Sequence, residues 1–204
     1  MKILIACEYS GTVRDAFSRL GHDATSCDIL PTDKPGKHHQ GDVRDILYDG
    51  WDMVIAHPPC TRLANSGVRW LKERDLWNDL EDAIKFFNLF QDRTIAPMVC
   101  IENPIPHKYA VKGINDLAGI GKYTQIIQPW QYGHGETKAT CLWLYGLPNL
   151  QPTDIVEGRE QKIWKMPPTK DRWKLRSKTY TGISHAMANQ WGSKIEDVMS
   201  KSLI

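Results

Sequence analysis

The sequence predicts an α/β fold with a mostly parallel sheet, helices on both faces and an antiparallel hairpin at one edge. Three features carry that expectation. Strand-like runs alternate with segments of helical period, the pattern of an α/β sheet. The runs are apolar without interruption, as strands buried on both faces are. Residues able to do chemistry then fall, one after another, where the runs end.

The elements follow in order. "KILIAC" reads as the first strand, and "GTVRDAFSRLG" as a helix with Val13, Ala16, Phe17 and Leu20 on one face and Gly21 as its C-cap. "HDATSCDI" gives a second strand, "GDVRDI" a short third and "WDMVIA" a fourth. From Glu73 to Asp92, Leu76, Trp77, Leu80, Ala83, Ile84, Phe87 and Phe90 mark one amphipathic helix. "PMVCIE" is a fifth strand, and "YTQIIQPW" and "ATCLWLYG" are two further strands, antiparallel neighbours at the edge. Pro148 to Lys178 has no period and reads as an irregular excursion. Ile183, Met187, Trp191, Ile195 and Val198 predict a closing helix. His38-His39 beside Gln40 reads as a solvated loop.

Length and composition bound the rest. A chain of 204 residues makes one domain, 1–204, with a short irregular basic insert at about 147–178. At 41% hydrophobic and 25% charged, it is an ordinary globular chain with no transmembrane run. "MKILIAC" is too short for a signal peptide, which predicts a cytoplasmic protein with no membrane partner. The five cysteines form no C-x-x-C, which argues against a zinc site or a disulfide framework. Between Arg159 and Lys178, eight Lys/Arg face two acids, so this segment carries +6 and the rest of the chain −4. With Trp164 and Trp173 in it, such a segment suits a phosphate backbone with stacked bases, or a solvated loop covering the core.

A sheet of this kind binds ligands beyond the carboxyl ends of its strands. Gly11 follows the first strand, Asp28 closes the second, Asp42 sits at the third, Cys60 follows the fourth and Glu102 closes the fifth. Gly11 permits close approach of a cofactor, although "CEYSGTVRDAF" is not G-x-G-x-x-G, which speaks against a nicotinamide dinucleotide. Asp28 has the place of an acid that accepts from ribose hydroxyls. Cys60, on a Pro-Pro turn, has three readings: a buried hydrophobe, a metal ligand or a nucleophile. As a nucleophile it needs nearby cations, and His57, Arg62 and Arg69 are close in sequence. Glu102, beside Ile101 and Pro104, is expected to have a raised pKa and to donate a proton. "GHGETKAT", with His134, Glu136 and Lys138, reads as a polar turn between strands.

These motifs resemble those of the S-adenosylmethionine-dependent DNA cytosine-5 methyltransferases, in particular the small versions of phages and prophages. "PPCTRLANSG" is similar to the family's P-P-C-Q-x-F-S-x-A-G loop, with Cys60 on the nucleophile and Gly67 on the closing glycine. "IENP" resembles E-N-V, with Glu102 on the residue that meets cytosine N3. "IACEYSGTVRDAF" resembles D-L-F-A-G-x-G-G, with Tyr9 in place of the first glycine and Gly11 on the second. "SCDI" and "GDVRDI" resemble the ribose-holding and adenine-side segments, "ETKATCLWLYG" resembles Q-x-R-x-R with its strand, and "TYTGISHAMANQWG" resembles the last motif.

The resemblance implies a Rossmann-like methyltransferase fold and a covalent mechanism in which Cys60 adds to C6 of cytosine while Glu102 serves N3. It implies S-adenosylmethionine held by Glu8, Tyr9, Gly11, Asp28, Asp42 and Pro58. DNA, as a duplex with a flipped cytosine or as a single strand, would meet Asn103, Lys138, Lys165, Lys170, Arg172 and Arg176. Leu147–Lys178 stands where the family has a large target-recognition domain, which implies a very short site, a single-stranded substrate or an accessory protein for target recognition. Three other readings compete: an amino-group methyltransferase, a pyrimidine nucleotide-modifying enzyme with the same Cys/Glu chemistry, and an inactive nucleic-acid-binding relative. The first would need Asp/Asn-Pro-Pro-aromatic, where this chain has His57 and Cys60.

Overall fold

The computed structural model of the protein describes residues 1–118, 122–170 and 172–193, with the side chains of 115–118, 163 and 164 excepted. Seven strands form one sheet: β1 (Lys2–Ala6), β2 (Asp23–Asp28), β3 (His38–Gln40), β4 (Met53–Ala56), β5 (Met98–Pro104), β6 (Gln125–Ile127) and β7 (Thr140–Tyr145). Their order is β3-β2-β1-β4-β5-β7-β6. The first five strands are parallel, while β7 runs antiparallel to both β5 and β6. The chain therefore winds outward from β1 to β3, returns, and winds the other way from β4. The crevice at that reversal lies beyond the carboxyl ends of β1 and β4.

Alternation along the strands makes two cores. Leu4, Ala6, Val54, Ala56, Val99 and Ile101 point to one face, where they meet Leu80, Ile84 and Phe87 of α3 (Trp77–Leu89) and Ala110 and Ile114 of α4 (Lys108–Ala118). Ile3, Ile5, Met53, Ile55 and Cys100 point to the other, against Val13, Ala16 and Phe17 of α1 (Thr12–Ser18) and Ile183, Met187 and Trp191 of the closing helix (Thr181–Gly192). The central strands β1, β4 and β5 are thus buried on both sides, which is why their sequences show no polar alternation.

The structure corrects the sequence reading in four places. "GDVRDI" is not a strand: Asp42 accepts the amide of Arg44 and caps a 3-10 turn over Val43–Asp45. The third strand is instead His38–Gln40, paired with Ser26–Asp28, where a loop was expected. The amphipathic helix expected from Glu73 starts only at Trp77 as α3, because Asp75 at φ 51° separates it from an additional short helix, α2 (Val68–Glu73). The irregular excursion carries two short helices, α5 (Lys162–Lys165) and α6 (Arg172–Ser177), so the closing helix is α7. Ile195 and Val198 lie outside the described residues.

Trp191 is 1% exposed at the centre of the α1–α7 packing, and its indole N–H donates to the carbonyl of Pro148 at 3.1 Å. Trp191→Ala is expected to cost about 3–5 kcal/mol in urea unfolding, since it removes both a large buried ring and that bond.

Candidate active site

The site begins with register. Ala56 of β4 lies opposite Ile101 of β5, so His57, the first residue after β4, comes beside Glu102, which is still in β5. Their side chains meet: Nδ1 of His57 lies 2.6 Å from Oε2 of Glu102, with the two side chains 10% and 12% exposed. One step further, the side-chain Nδ2 of Asn103 donates to the carbonyl of Pro58 at 2.8 Å. Asn103 is buried, so it braces the Cys60 loop from beneath.

The loop itself is tight. The amides of Leu63 and Ala64 both donate to the Cys60 carbonyl, and His107 N–H groups tie the carbonyls of Arg62 and Leu63 to the segment after β5. A Cβ on Gly67 would fall 2.5 Å from the Thr61 carbonyl, so only glycine closes the turn. Cys60 is left half-buried. Burial is the largest cause raising its pKa above the ordinary thiol value, and the Glu102 charge adds to it; Lys138 and Arg176 pull the other way. Cys60, Glu102, Lys138 and Arg176 therefore act on one another electrostatically, although they come from four separate segments.

Glu102 departs from the sequence reading. Burial alone would raise its pKa, but the His57 hydrogen bond and charge, with Lys138 beyond, outweigh burial and hold the carboxyl below its ordinary value. His57 is correspondingly raised, because the Glu102 bond and charge overcome its own desolvation. The Nε2 of His57 is buried and has no hydrogen-bond partner among the described residues.

Beyond β1, β2 and β3 lies a second cluster. The Glu8 carboxylate is buried and accepts the amides of Val13 and Arg14 and the hydroxyl of Ser10, so it caps α1 and holds the turn that contains Gly11. Gly11 has φ 67°, and a Cβ there would fall 2.4 Å from the buried Arg14 guanidinium. Arg14 binds Asp15, Ser26, Thr32 and the carbonyls of Lys34 and Pro35, drawing the loop after β2 onto α1. One oxygen of Asp28 takes the Leu30 amide, and burial raises its pKa. Asp42 pairs with Arg44. Asp28 and Asp42 make this region negative and add to the burial that holds the proton on Cys7.

The basic segment lies over both clusters. The Tyr9 hydroxyl donates to the Lys174 carbonyl at 2.8 Å, the Lys138 ammonium donates to the Arg176 carbonyl at 3.0 Å, and Lys178 pairs with Asp33 at 2.7 Å. Helix α6 is thereby strapped across the mouth of the crevice, with the ring of Trp173 beside that of Tyr9 and 52% exposed. Arg172 is half-buried on the same helix, while Lys165 and Lys170 stand in solvent on its approach. The side chain of Trp164 is outside the described ones. His134, in the polar turn, accepts the Gly182 amide at 3.1 Å and so caps α7.

No protein-family profile matches the sequence, and no curated protein matches it. Solved structures do. A candidate DNA modification methyltransferase encoded within an E. coli prophage is 14% identical, with a TM-score of 0.50 over 82% of this chain and 55% of that one. The Entamoeba histolytica methyltransferase EhMeth is 17% identical (TM-score 0.47; 78% and 56% covered), and the S. pombe Dnmt2 methyltransferase 14% identical (TM-score 0.40; 80% and 53% covered). The chain thus spans about half the length of these structures. The first likeness carries the fold: a Rossmann-like sheet of the methyltransferase type.

Two outcomes are expected. Glu102→Gln removes a negative charge that opposes the Cys60 thiolate, so alkylation of Cys60 by iodoacetamide at pH 8 should become several-fold faster, as read by peptide mass spectrometry. Stability gives the second. The depressed Glu102 contributes above its ordinary value of 4.5 and loses that contribution as pH falls through the lowered value; the raised His57 contributes fully below 6.5 and loses it as pH rises through the raised value. The difference in unfolding free energy between wild type and Glu102→Gln should therefore be largest between pH 4.5 and 6.5 and shrink on both sides.

Proposed function

We propose that the protein is an S-adenosylmethionine-dependent DNA cytosine-5 methyltransferase. The observation that carries this reading is that Cys60, on the loop after β4, lies in the electrostatic field of Glu102 in the adjoining parallel strand β5, which brings a thiol and a buried carboxyl to one crevice. A buried carboxyl that serves only to tie down a loop needs no half-exposed cysteine in its field.

The crevice fits the cofactor. Gly11 at φ 67° turns the chain after β1, Asp28 stands half-buried at the end of β2 where an acid can accept from a ribose hydroxyl, and the negative charge of Asp28 and Asp42 suits a cationic sulfonium compound. Glu8 shapes that turn from within, Tyr9 and Pro58 line its flanks, and Asp42 stands on the adenine side. When bound, the cofactor supplies an electrophilic methyl group. The protein does the remainder: Cys60 sulfur bonds to C6, N3 takes a proton from Glu102, and C5 becomes nucleophilic enough to accept the methyl group. Loss of the C5 proton then expels the Cys60 thiolate. Cysteine suits this cycle because its sulfur both attacks and leaves readily.

A cytosine in a duplex must first leave the stack, at a cost of a few kcal/mol. Trp173 with Lys165, Lys170, Arg172 and Arg176 offers a stacking face and cations for a DNA strand, while Asn103 holds the loop that meets the base. So small a grip favours a short site, a single strand or help from an accessory protein.

Cys60→Ser should abolish methyl transfer and leave S-adenosylmethionine binding intact. The check is mass spectrometry of nucleosides from single- and double-stranded DNA containing every short context, beside calorimetry of cofactor binding. Transfer that persists in Cys60→Ser would overturn the covalent route.

A further inference from the structure

The hydrogen bond between His57 and Glu102 has a chemical consequence that rests on the proposed reaction. Cytosine N3 is a hydrogen-bond acceptor, so the carboxyl that serves it must arrive with a proton on the oxygen that faces the base. A lone carboxyl can carry its proton on either oxygen and rotate. Glu102 cannot, because Oε2 is engaged by Nδ1 of His57 at 2.6 Å, which leaves Oε1 as the oxygen open to a ligand.

We propose that His57 is a positioning residue for Glu102. Its Nδ1–H, donated to Oε2, fixes the carboxyl with Oε1 toward the base, and the pair stores the proton that N3 takes up. Two observations support this beyond the distance. Both side chains are about nine-tenths buried, so no solvent competes for the proton. Nε2 of His57 has no partner among the described residues, the mark of a group whose second bond is made to something that enters the site.

The proton inventory balances. The pair rests as imidazolium–carboxylate; the reacting form is its minor partner, in which Glu102 carries a proton on Oε1 and neutral His57 donates Nδ1–H to Oε2. The same two protons, redistributed, make the imidazolium–carboxylate pair, so the dyad and not either residue titrates. As the S–C6 bond forms, the ring electron pair displaced from the C5–C6 double bond arrives at N3. N3 takes the Oε1 proton, and the Nδ1–H bond stabilises the carboxylate left behind. C5 gains the methyl group, with the C4–N3 double bond restored. Departure of the C5 proton to water re-forms the C5–C6 double bond as the S–C6 bond breaks, and N3 returns its proton to Glu102.

The charged groups around the pair set its balance. Glu8, from the turn after β1, helps hold His57 protonated; Lys138, before β7, opposes that and favours ionised Glu102. Burial and the Glu102 charge hold the proton on Cys60, while Lys138 and Arg176 draw the other way.

The test is a pH profile. Single-turnover transfer from tritiated S-adenosylmethionine to cytosine-containing oligonucleotides is measured from pH 5.5 to 9 for wild type, His57→Gln and His57→Asn. Both amides can donate to Oε2 but hold no extra proton. The expected result is a loss of about 10- to 100-fold at pH 8 that shrinks steadily as pH falls and Glu102 keeps its own proton. A loss of equal size at every pH, or no loss, overturns the proposal. Should the variants not fold, imidazole nitrogen NMR decides: His57 must titrate at lower pH in Glu102→Gln than in wild type, and equal midpoints overturn the pairing. Wild type that binds cofactor yet transfers nothing at any pH overturns the proposed function itself, an outcome distinct from a transferring wild type whose His57 variants show a pH-independent loss.

Discussion

The pairing of β4 with β5 is the constraint on which the rest of the site depends. A parallel ladder fixes which residues come side by side, and here it sets His57 against Glu102 and Pro58 against Asn103. A slip of one residue would turn every side chain of β5 to the other face and bury Glu102 among Leu80, Phe87 and their neighbours. Apolar side chains on both faces of both strands make such a slip costly. The chemistry at the strand ends is thus aligned by the cores behind it.

Electrostatics at Cys60 is a contest in which burial and the sheet prevail and the later chain pulls the other way. Burial and Glu102 oppose the thiolate, whereas Lys138 and Arg176 support it. Both cations come from segments that follow β6, so the nucleophile set out by β4 is tuned by residues nearly eighty to over a hundred positions later. In a partly desolvated site such charges count for more than they would in water. The strap of α6 thereby belongs to the site in substance, because without it Cys60 would lose the Arg176 charge that favours its thiolate.

Much of the fold was legible because it follows from local pattern: uninterrupted apolar runs for β1, β4 and β5, helical spacing for α3, and Pro-Pro for the break that exposes Cys60. The antiparallel edge strands were legible too, though not that β7 would insert between β5 and β6. What stayed hidden is non-local. Asp42 reads like a strand-end acid until its side chain is seen to cap a turn, and His38–Gln40 looks polar and loose until Ser26–Asp28 pairs with it. Glu102 was legible as a reactive carboxyl, but the direction of its titration depended on His57, forty-five residues away. Only the register of two strands brings them together, and register has no signature in either strand alone. Arg14 was hidden for the same reason, being an ordinary helix cation in sequence and a buried tether in space.

The strap over the crevice is fastened in an unusual way: Tyr9 and Lys138 grip the carbonyls of Lys174 and Arg176 and not their side chains. Main-chain carbonyls are the same whatever residue bears them. Substitutions on the outward side of this short helix can therefore accumulate without loosening its attachment, and the surface that first meets an approaching molecule can diverge faster than the machinery beneath it. A lineage could refit that surface to new partners by point changes alone, keeping the clasp and altering only what it displays.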